Sequence, residues 1–241
     1  MDKNGNPFVA LMARWGGGAG EVQAVDFSKN PPAVTRVGDM HHLRTTGSFT
    51  LLPNGQVFAS GGSYNWNDLA TAVYQSELYD PYTQKWYLAA WSSIPRLYHS
   101  NALLLPDGTV LTTGGGAPGP VNELNGQIYY PPYLYKQDGS GQAAARPTIV
   151  SAPQALALNQ TFQLTVGAND QVGTINLIRV GAPTHDFNPE QRLIPVTFTQ
   201  NGTQISAWLS ASPGLAPPGY YMLFVLNTAG VPAIAKIVFV G

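Results

Sequence analysis

One stretch of text occurs twice in this chain, and that repetition constrains the fold more than any other feature. Arg44-Thr-Thr-Gly-Ser-Phe-Thr-Leu-Leu-Pro-Asn-Gly-Gln-Val-Phe-Ala-Ser-Gly-Gly62 is answered by Arg96-Leu-Tyr-His-Ser-Asn-Ala-Leu-Leu-Leu-Pro-Asp-Gly-Thr-Val-Leu-Thr-Thr-Gly-Gly115. Each copy reads as a strand, a turn at Pro-Asn-Gly or Pro-Asp-Gly, a second strand and a glycine pair. Asn-Gly and Asp-Gly predict two-residue hairpin turns, whose central residues need positive backbone angles. Aromatic segments follow: Tyr79-Asp80-Pro81 with Trp86, then Tyr129-Tyr130-Pro131.

A period of about fifty residues with a Gly-Gly pair and a later aromatic is the kelch pattern of a β-propeller blade. A third copy is partial. Asn4-Gly5-Asn6-Pro7-Phe8-Val9-Ala10-Leu11 with Gly16-Gly17-Gly18 matches the second strand and the glycine run, with no first strand before it. The expectation is one incomplete blade and two whole ones, the last ending near Lys136. Propellers close with about four to eight blades, so about three predict a further N-terminal part of the propeller, from the same precursor or another chain. No helix follows Gly61-Gly62 or Gly114-Gly115-Gly116, so both read as blade turns rather than phosphate loops.

From Arg146-Pro147 onward the text changes to short alternating strands: 161–166, 174–180, 193–198, 204–209, 220–226 and 235–240. Six or seven strands in about a hundred residues predict an immunoglobulin-like β-sandwich. The fold class is therefore all-β. Residues 1–136 form an incomplete propeller, 137–146 a small polar linker, and 147–241 a C-terminal sandwich.

Composition excludes several functions. Of 241 residues only 10% are charged, with a net charge of −1, which gives no electrostatic reason to expect nucleic acid or an anionic membrane. No apolar run is long enough to span a bilayer. The chain has no cysteine, so no disulfide framework is available. Low charge and the sequons Asn159-Gln-Thr161 and Asn201-Gly-Thr203 point to an extracellular, secreted protein.

The ordered motifs carry a resemblance. Arg96-Leu-Tyr-His-Ser with Leu-Leu-Pro-Asp-Gly, Tyr129-Tyr-Pro-Pro-Tyr-Leu-Tyr135, Arg146-Pro147, Thr184-His185 with Asn188 and Gln191-Arg192, and Pro217-Pro-Gly-Tyr-Tyr-Met-Leu-Phe-Val-Leu-Asn227 with Gly230-Val-Pro232 are similar to the C-terminal half of the copper-radical oxidases, the galactose oxidase and glyoxal oxidase family. The resemblance implies a copper ion held by the Tyr98 phenolate and by the imidazoles of His99 and His185, the last on a sandwich-domain loop. It implies that Tyr98 is the base taking the substrate hydroxyl proton, and that Arg44 contacts substrate. Where galactose oxidase has a glutamine after that glycine pair this chain has Ser63, which favours a smaller alcohol or aldehyde over galactose.

The implied activity is oxidation of primary alcohols or aldehydes by dioxygen to give hydrogen peroxide. Imidazole and phenolate suit Cu(II) in a tetragonal field. The family's second redox group, a tyrosine cross-linked to cysteine, is not present in this chain, and the position aligned with that tyrosine is Met1 before Asp2. Trp15 falls where the family places an aromatic over it, although packing between blades also explains Trp15.

Blander readings stand beside these. Arg44 also reads as a structural arginine pinning adjacent blades. His41 and His42 read as a solvated loop, as do Asp186 and Glu190. The alternative function is a non-catalytic kelch and sandwich protein that binds carbohydrate or assembles at a surface.

Overall fold

The computed structural model describes Phe8–Leu11 and residues 21–241. Trp15, the glycines at 16–18, Met1 and Asp2 lie outside the described residues. Eighteen strands are described, in four sheets. The first sheet runs β1 (Phe8–Leu11), β2 (Glu21–Asp26) and β3 (Ala33–Asp39). The second has four antiparallel strands in chain order: β4 (Ser48–Leu51), β5 (Val57–Ser60), β6 (Gln75–Asp80) and β7 (Lys85–Trp91). The third contains β8 (Asn101–Leu104), β9 (Val110–Thr113) and β10 (Gly126–Tyr129). These are propeller blades, each a meander whose neighbours in sequence are neighbours in space.

The hairpin turns differ from the two-residue form the text predicts. Leu52 donates to Gln56 O at 2.8 Å and Gly55 to Leu52 O at 2.9 Å, leaving a three-residue loop in which Gly55 alone has positive φ, 86°. The second copy repeats the pattern with Leu105, Thr109 and Gly108. Proline explains the difference. Its ring holds φ near −65° at the first central position, which suits a type I turn closed by a left-handed glycine and forbids the mirror-image turn.

Two arginines lock the glycine pairs. Arg44 Nη1 donates to Gly61 O at 2.9 Å and Nη2 to Gln75 O at 3.0 Å. Arg96 Nη1 donates to Gly114 O at 3.0 Å and to Asn125 O at 3.2 Å. Each ties the end of one inner strand to the strand after it, in consecutive blades. The glycines are required by close approach: a Cβ on Gly61 would lie 2.5 Å from Arg96 O, and one on Gly62 would lie 2.5 Å from Thr45 O.

Between the first two sheets Val22, Ala24, Val37, Met40, Ala59, Tyr79 and Trp86 form one buried cluster. Trp86 and Tyr79 are the aromatics expected to mark a blade, with ring centroids 5.2 Å apart.

The fourth sheet contains β11 (Ile149–Ser151), β12 (Ala155–Leu156), β13 (Thr161–Val166), β14 (Val172–Arg179), β15 (Leu193–Asn201), β16 (Gln204–Trp208), β17 (Gly219–Asn227) and β18 (Lys236–Val240), in the order β11-β13-β16-β15-β14-β17-β18-β12. Strand β15 joins its two halves. Leu193–Val196 pair with β14 and Thr197–Asn201 with β16, so the sheet folds over on itself. Alternating residues such as Phe162, Leu164 and Val166 face a core shared with Ile175, Leu177, Tyr221, Leu223 and Val225. The Tyr221 hydroxyl donates to Pro217 O at 2.9 Å, the corner bond common in immunoglobulin-like sandwiches.

The chain forms two compact units. One gathers the described residues up to Leu103 with Leu111–Tyr129 and Ala182–Pro189; the other holds Leu104–Val110, Tyr130–Gly181 and Glu190–Gly241. The β14–β15 connection therefore belongs to the first unit although both flanking strands belong to the second. Residues 137–146, read as a small polar linker, make a hydrogen-bonded excursion. Lys136 donates to Gln142 O, Ala144 to Leu134 O, and Arg146 Nη2 to Asp107 O at 2.7 Å.

Candidate metal centre

Tyr98 and His99 stand where the chain enters β8. Gly116 donates to Tyr98 O at 2.7 Å, as Thr45 and Ser63 pair at 2.8 and 3.1 Å in the blade before. The matched backbone bonds make Tyr98 the counterpart of Thr45, and His99 the counterpart of Thr46. Both Thr46 and His99 have positive φ, 52° and 67°. The left-handed backbone at His99 is thus a property of the blade, and the second copy fits Leu97 in between Arg96 and Tyr98.

His99 Nδ1 lies 2.6 Å from Ala117 O. A carbonyl only accepts, so Nδ1 carries the proton and Nε2 keeps its lone pair free for a metal. His185 sits in the β14–β15 connection. Phe187 donates to Thr184 O at 3.0 Å and Thr184 to Phe187 O at 2.8 Å, with φ of 54° at His185 and 65° at Asp186. Two positive angles inside a closed four-residue turn are the signature of type I′. A histidine there is strained, and the turn holds it at an exposed tip. The Thr184 hydroxyl lies 2.6 Å from His185 Nδ1.

The structure brings Tyr98, His99 and His185 together within one compact unit. Ring centroids are 3.9 Å apart for Tyr98 and His99, 4.5 Å for His99 and His185, and 6.0 Å for Tyr98 and His185. Among the described residues no group of three or more His, Cys, Asp or Glu could hold a metal. This constellation has two imidazoles and a phenol instead, a donor set that fits Cu(II).

Asp186 is buried (5% exposed) rather than solvated as the text suggests. Its amide donates to Ser100 O at 3.1 Å and its Oδ1 accepts from Ser100 Oγ at 2.9 Å. Burial pushes the carboxyl up to about 7, against the hydrogen bonds from Ser100 and from the His99 amide that hold it down. Glu190, read with it as part of a solvated loop, pairs with Arg179 in the other unit.

Arg44, which the resemblance implies contacts substrate, is enclosed by its own blade. It is 1% exposed, and its Nη2 donates to Glu77 Oε1 at 2.7 Å. With Gly61, Gln75 and Glu77 using its guanidinium, Arg44 has no surface to offer a substrate. The bond that Arg96 repeats in the next blade identifies its work as blade packing. Glu77, which the text did not single out, is fully buried and also accepts the amides of His41 and His42 at 2.6 and 3.1 Å. The His41 ring reaches Glu77 Oε2 at 3.0 Å, so this loop is anchored, while both histidines are exposed as the solvated reading expects. Ser63 is fully buried, its hydroxyl bonded to Asn65 O.

Trp66 also escaped the sequence reading. Its ring centroid lies 5.3 Å from that of Tyr98, and the side chain is 52% exposed. No periodicity marks it, because it lies in an irregular loop. A separate cleft of about 90 Å³ is lined by Phe58, Tyr74, Trp91, Gln127 and Tyr129 among others, and none of the three candidate ligands lines it.

Comparison with known proteins agrees with this fold. Residues 25–132 match the family model "Glyoxal oxidase N-terminus", and residues 146–240 match "Galactose oxidase-like, Early set domain". A galactose oxidase of Gibberella zeae is 37% identical over 214 residues, 86% of this chain and 31% of that protein. The aldehyde oxidase GLOX of Vitis pseudoreticulata is 30% identical over 230 residues, 86% of this chain and 43% of that protein. The solved structure of a fungal alcohol oxidase in complex with copper superposes with a TM-score of 0.83 at 31% identity, over 92% of this chain and 48% of that one. The chain thus spans about a third of the galactose oxidase and under half of the other two. Its strand order, its assembled phenol and imidazoles, and both family matches converge: the chain belongs to the galactose oxidase and glyoxal oxidase family of copper oxidases.

Proposed function

We propose that this chain supplies the metal-binding face of a secreted copper-radical oxidase, which converts a primary alcohol to the aldehyde (or an aldehyde to the acid) while dioxygen becomes hydrogen peroxide. The observation that carries the reading is the assembly of Tyr98, His99 and His185 within ring-contact distance, although 86 residues separate His99 from His185. His99 Nε2 and a His185 ring nitrogen hold the metal, with Tyr98 as the third donor. Copper, when bound, supplies a one-electron acceptor and a position for the substrate oxygen. Tyr98 as phenolate takes the proton of the substrate hydroxyl. The Ala117 carbonyl fixes the His99 tautomer, and the Ser100–Asp186 bonds hold the His185 turn in place.

The second electron requires a partner group that these residues do not provide, since the family's cross-linked tyrosine needs a cysteine and the chain has none. In this reading it comes with the remaining propeller blades. Copper titration followed by electron paramagnetic resonance tests the site. One equivalent bound with a tetragonal Cu(II) spectrum is expected, lost in His185→Ala. No specific copper binding, or retention of the same spectrum in His185→Ala, overturns the proposal. For the whole protein, peroxide release from alcohols or aldehydes is the corresponding assay.

A further inference from the structure

Resting on that reading, we infer that the site selects primary alcohols with an apolar, aromatic body over sugars, and that Trp66 is the residue that selects them. Both positions where the resemblance expects polar substrate contacts are closed. Arg44 is spent on Glu77, Gly61 and Gln75, and Ser63 is fully buried with its hydroxyl bonded to Asn65 O. A sugar presents several hydroxyls, and neither of these two described residues has a group left to partner them, which weakens its binding.

What stands beside Tyr98 instead is an indole. Trp66 is half exposed in a tightly braced loop. Tyr64 donates to Thr71 O at 2.9 Å, and Asn65 to Thr71 Oγ1 at 3.1 Å. Buried Asn67 donates to Pro118 O at 3.2 Å and to Gly116 O at 3.4 Å. Residues 116–118 are the same segment whose Ala117 carbonyl orients His99. One short stretch therefore positions both the metal-facing imidazole and the indole. A large apolar side chain held rigidly, next to the proposed base and still open to solvent, makes a wall for an aryl ring.

Two measurements with benzyl alcohol and galactose as probes separate this inference from the oxidase reading. In saturation-transfer NMR on the copper-free chain, benzyl alcohol is expected to receive more saturation than galactose. That signal falls in Trp66→Ala and returns in Trp66→Phe. In the copper-loaded full-length protein, the ratio of kcat/KM for benzyl alcohol to that for galactose falls roughly three- to tenfold in Trp66→Ala, the size of one aromatic contact. Galactose preferred by the unsubstituted protein, or a ratio and NMR signal indifferent to Trp66, overturns the inference. Copper bound but no peroxide from either alcohol strikes the oxidase reading alone, and the NMR comparison then decides Trp66 by itself.

Discussion

Ser100 and Asp186 are joined twice, by a backbone bond of 3.1 Å and a side-chain bond of 2.9 Å, and each directly follows a histidine of the candidate metal centre. The pair acts as a clasp. It fixes the entry to β8, which carries His99, against the strained turn that carries His185. Outer contacts of this kind set ligand geometry, and their loss typically weakens metal affinity by about 10–100-fold.

Ser100→Ala removes the side-chain half of the clasp and leaves every donor atom in place. Copper affinity by competition titration is expected to fall at least tenfold, while thermal stability changes little. Unchanged affinity would mean that the His185 turn holds its position without Asp186.

Arg44 and Glu77 make a buried ion pair, both side chains fully excluded from solvent. Removing one partner strands the other, which costs about 3–5 kcal/mol. Arg44→Met is expected to lower the urea midpoint strongly, and Arg44→Met with Glu77→Leu to recover much of the loss. Copper affinity of the double variant should stay near that of the unsubstituted chain. A large loss of copper binding with stability intact would restore Arg44 to the site.

The same pair sets an acid limit. Burial pushes the Glu77 carboxyl up, but the Arg44 guanidinium and the His41 amide and ring outweigh it and hold the carboxyl below the ordinary glutamate value. A lowered folded pKa stabilises the fold above the unfolded value of about 4.3, and that contribution is lost as pH falls through the folded pKa. Glu77→Gln should therefore be less stable than the unsubstituted chain at neutral pH, with the gap closing below about pH 4. Parallel stability curves across that range would count against Glu77 as the acid-sensitive group.

The sheets and the three candidate ligands were legible in the sequence for different reasons. Strand alternation and the doubled hairpin are local, so β4–β5 and β8–β9 could be read directly. Tyr98, His99 and His185 came from motif resemblance, and their meeting could not be read from spacing. The burial of Arg44 was not legible, because a motif carries residue identity without the partner, and Glu77 lies 33 residues away. The Ser100–Asp186 clasp spans 86 residues, and Trp66 sits in a loop without period, so neither leaves a local mark. The proline turns were misread for a local reason: Asn-Gly was weighed and the preceding Pro53 was not.

Positive φ at Thr46 and His99 occurs at the same place in consecutive blades, and this separates backbone strain from metal binding. A left-handed non-glycine residue costs roughly 1–2 kcal/mol, more for a β-branched one such as Thr46, whose buried hydroxyl also lacks a partner. Glycine relieves that strain and gives back about 0.5–1 kcal/mol as extra freedom of the unfolded chain. Thr46→Gly should thus raise Tm by a few degrees, about 2–4 °C for each kcal/mol gained, without touching copper affinity. His99→Gly is expected to keep or slightly raise Tm while losing copper, and His99→Val to lose both. If His99→Gly instead lowers Tm as much as His99→Val does, the imidazole and its bond to Ala117 are structural, and loss of copper in that variant would no longer identify a ligand.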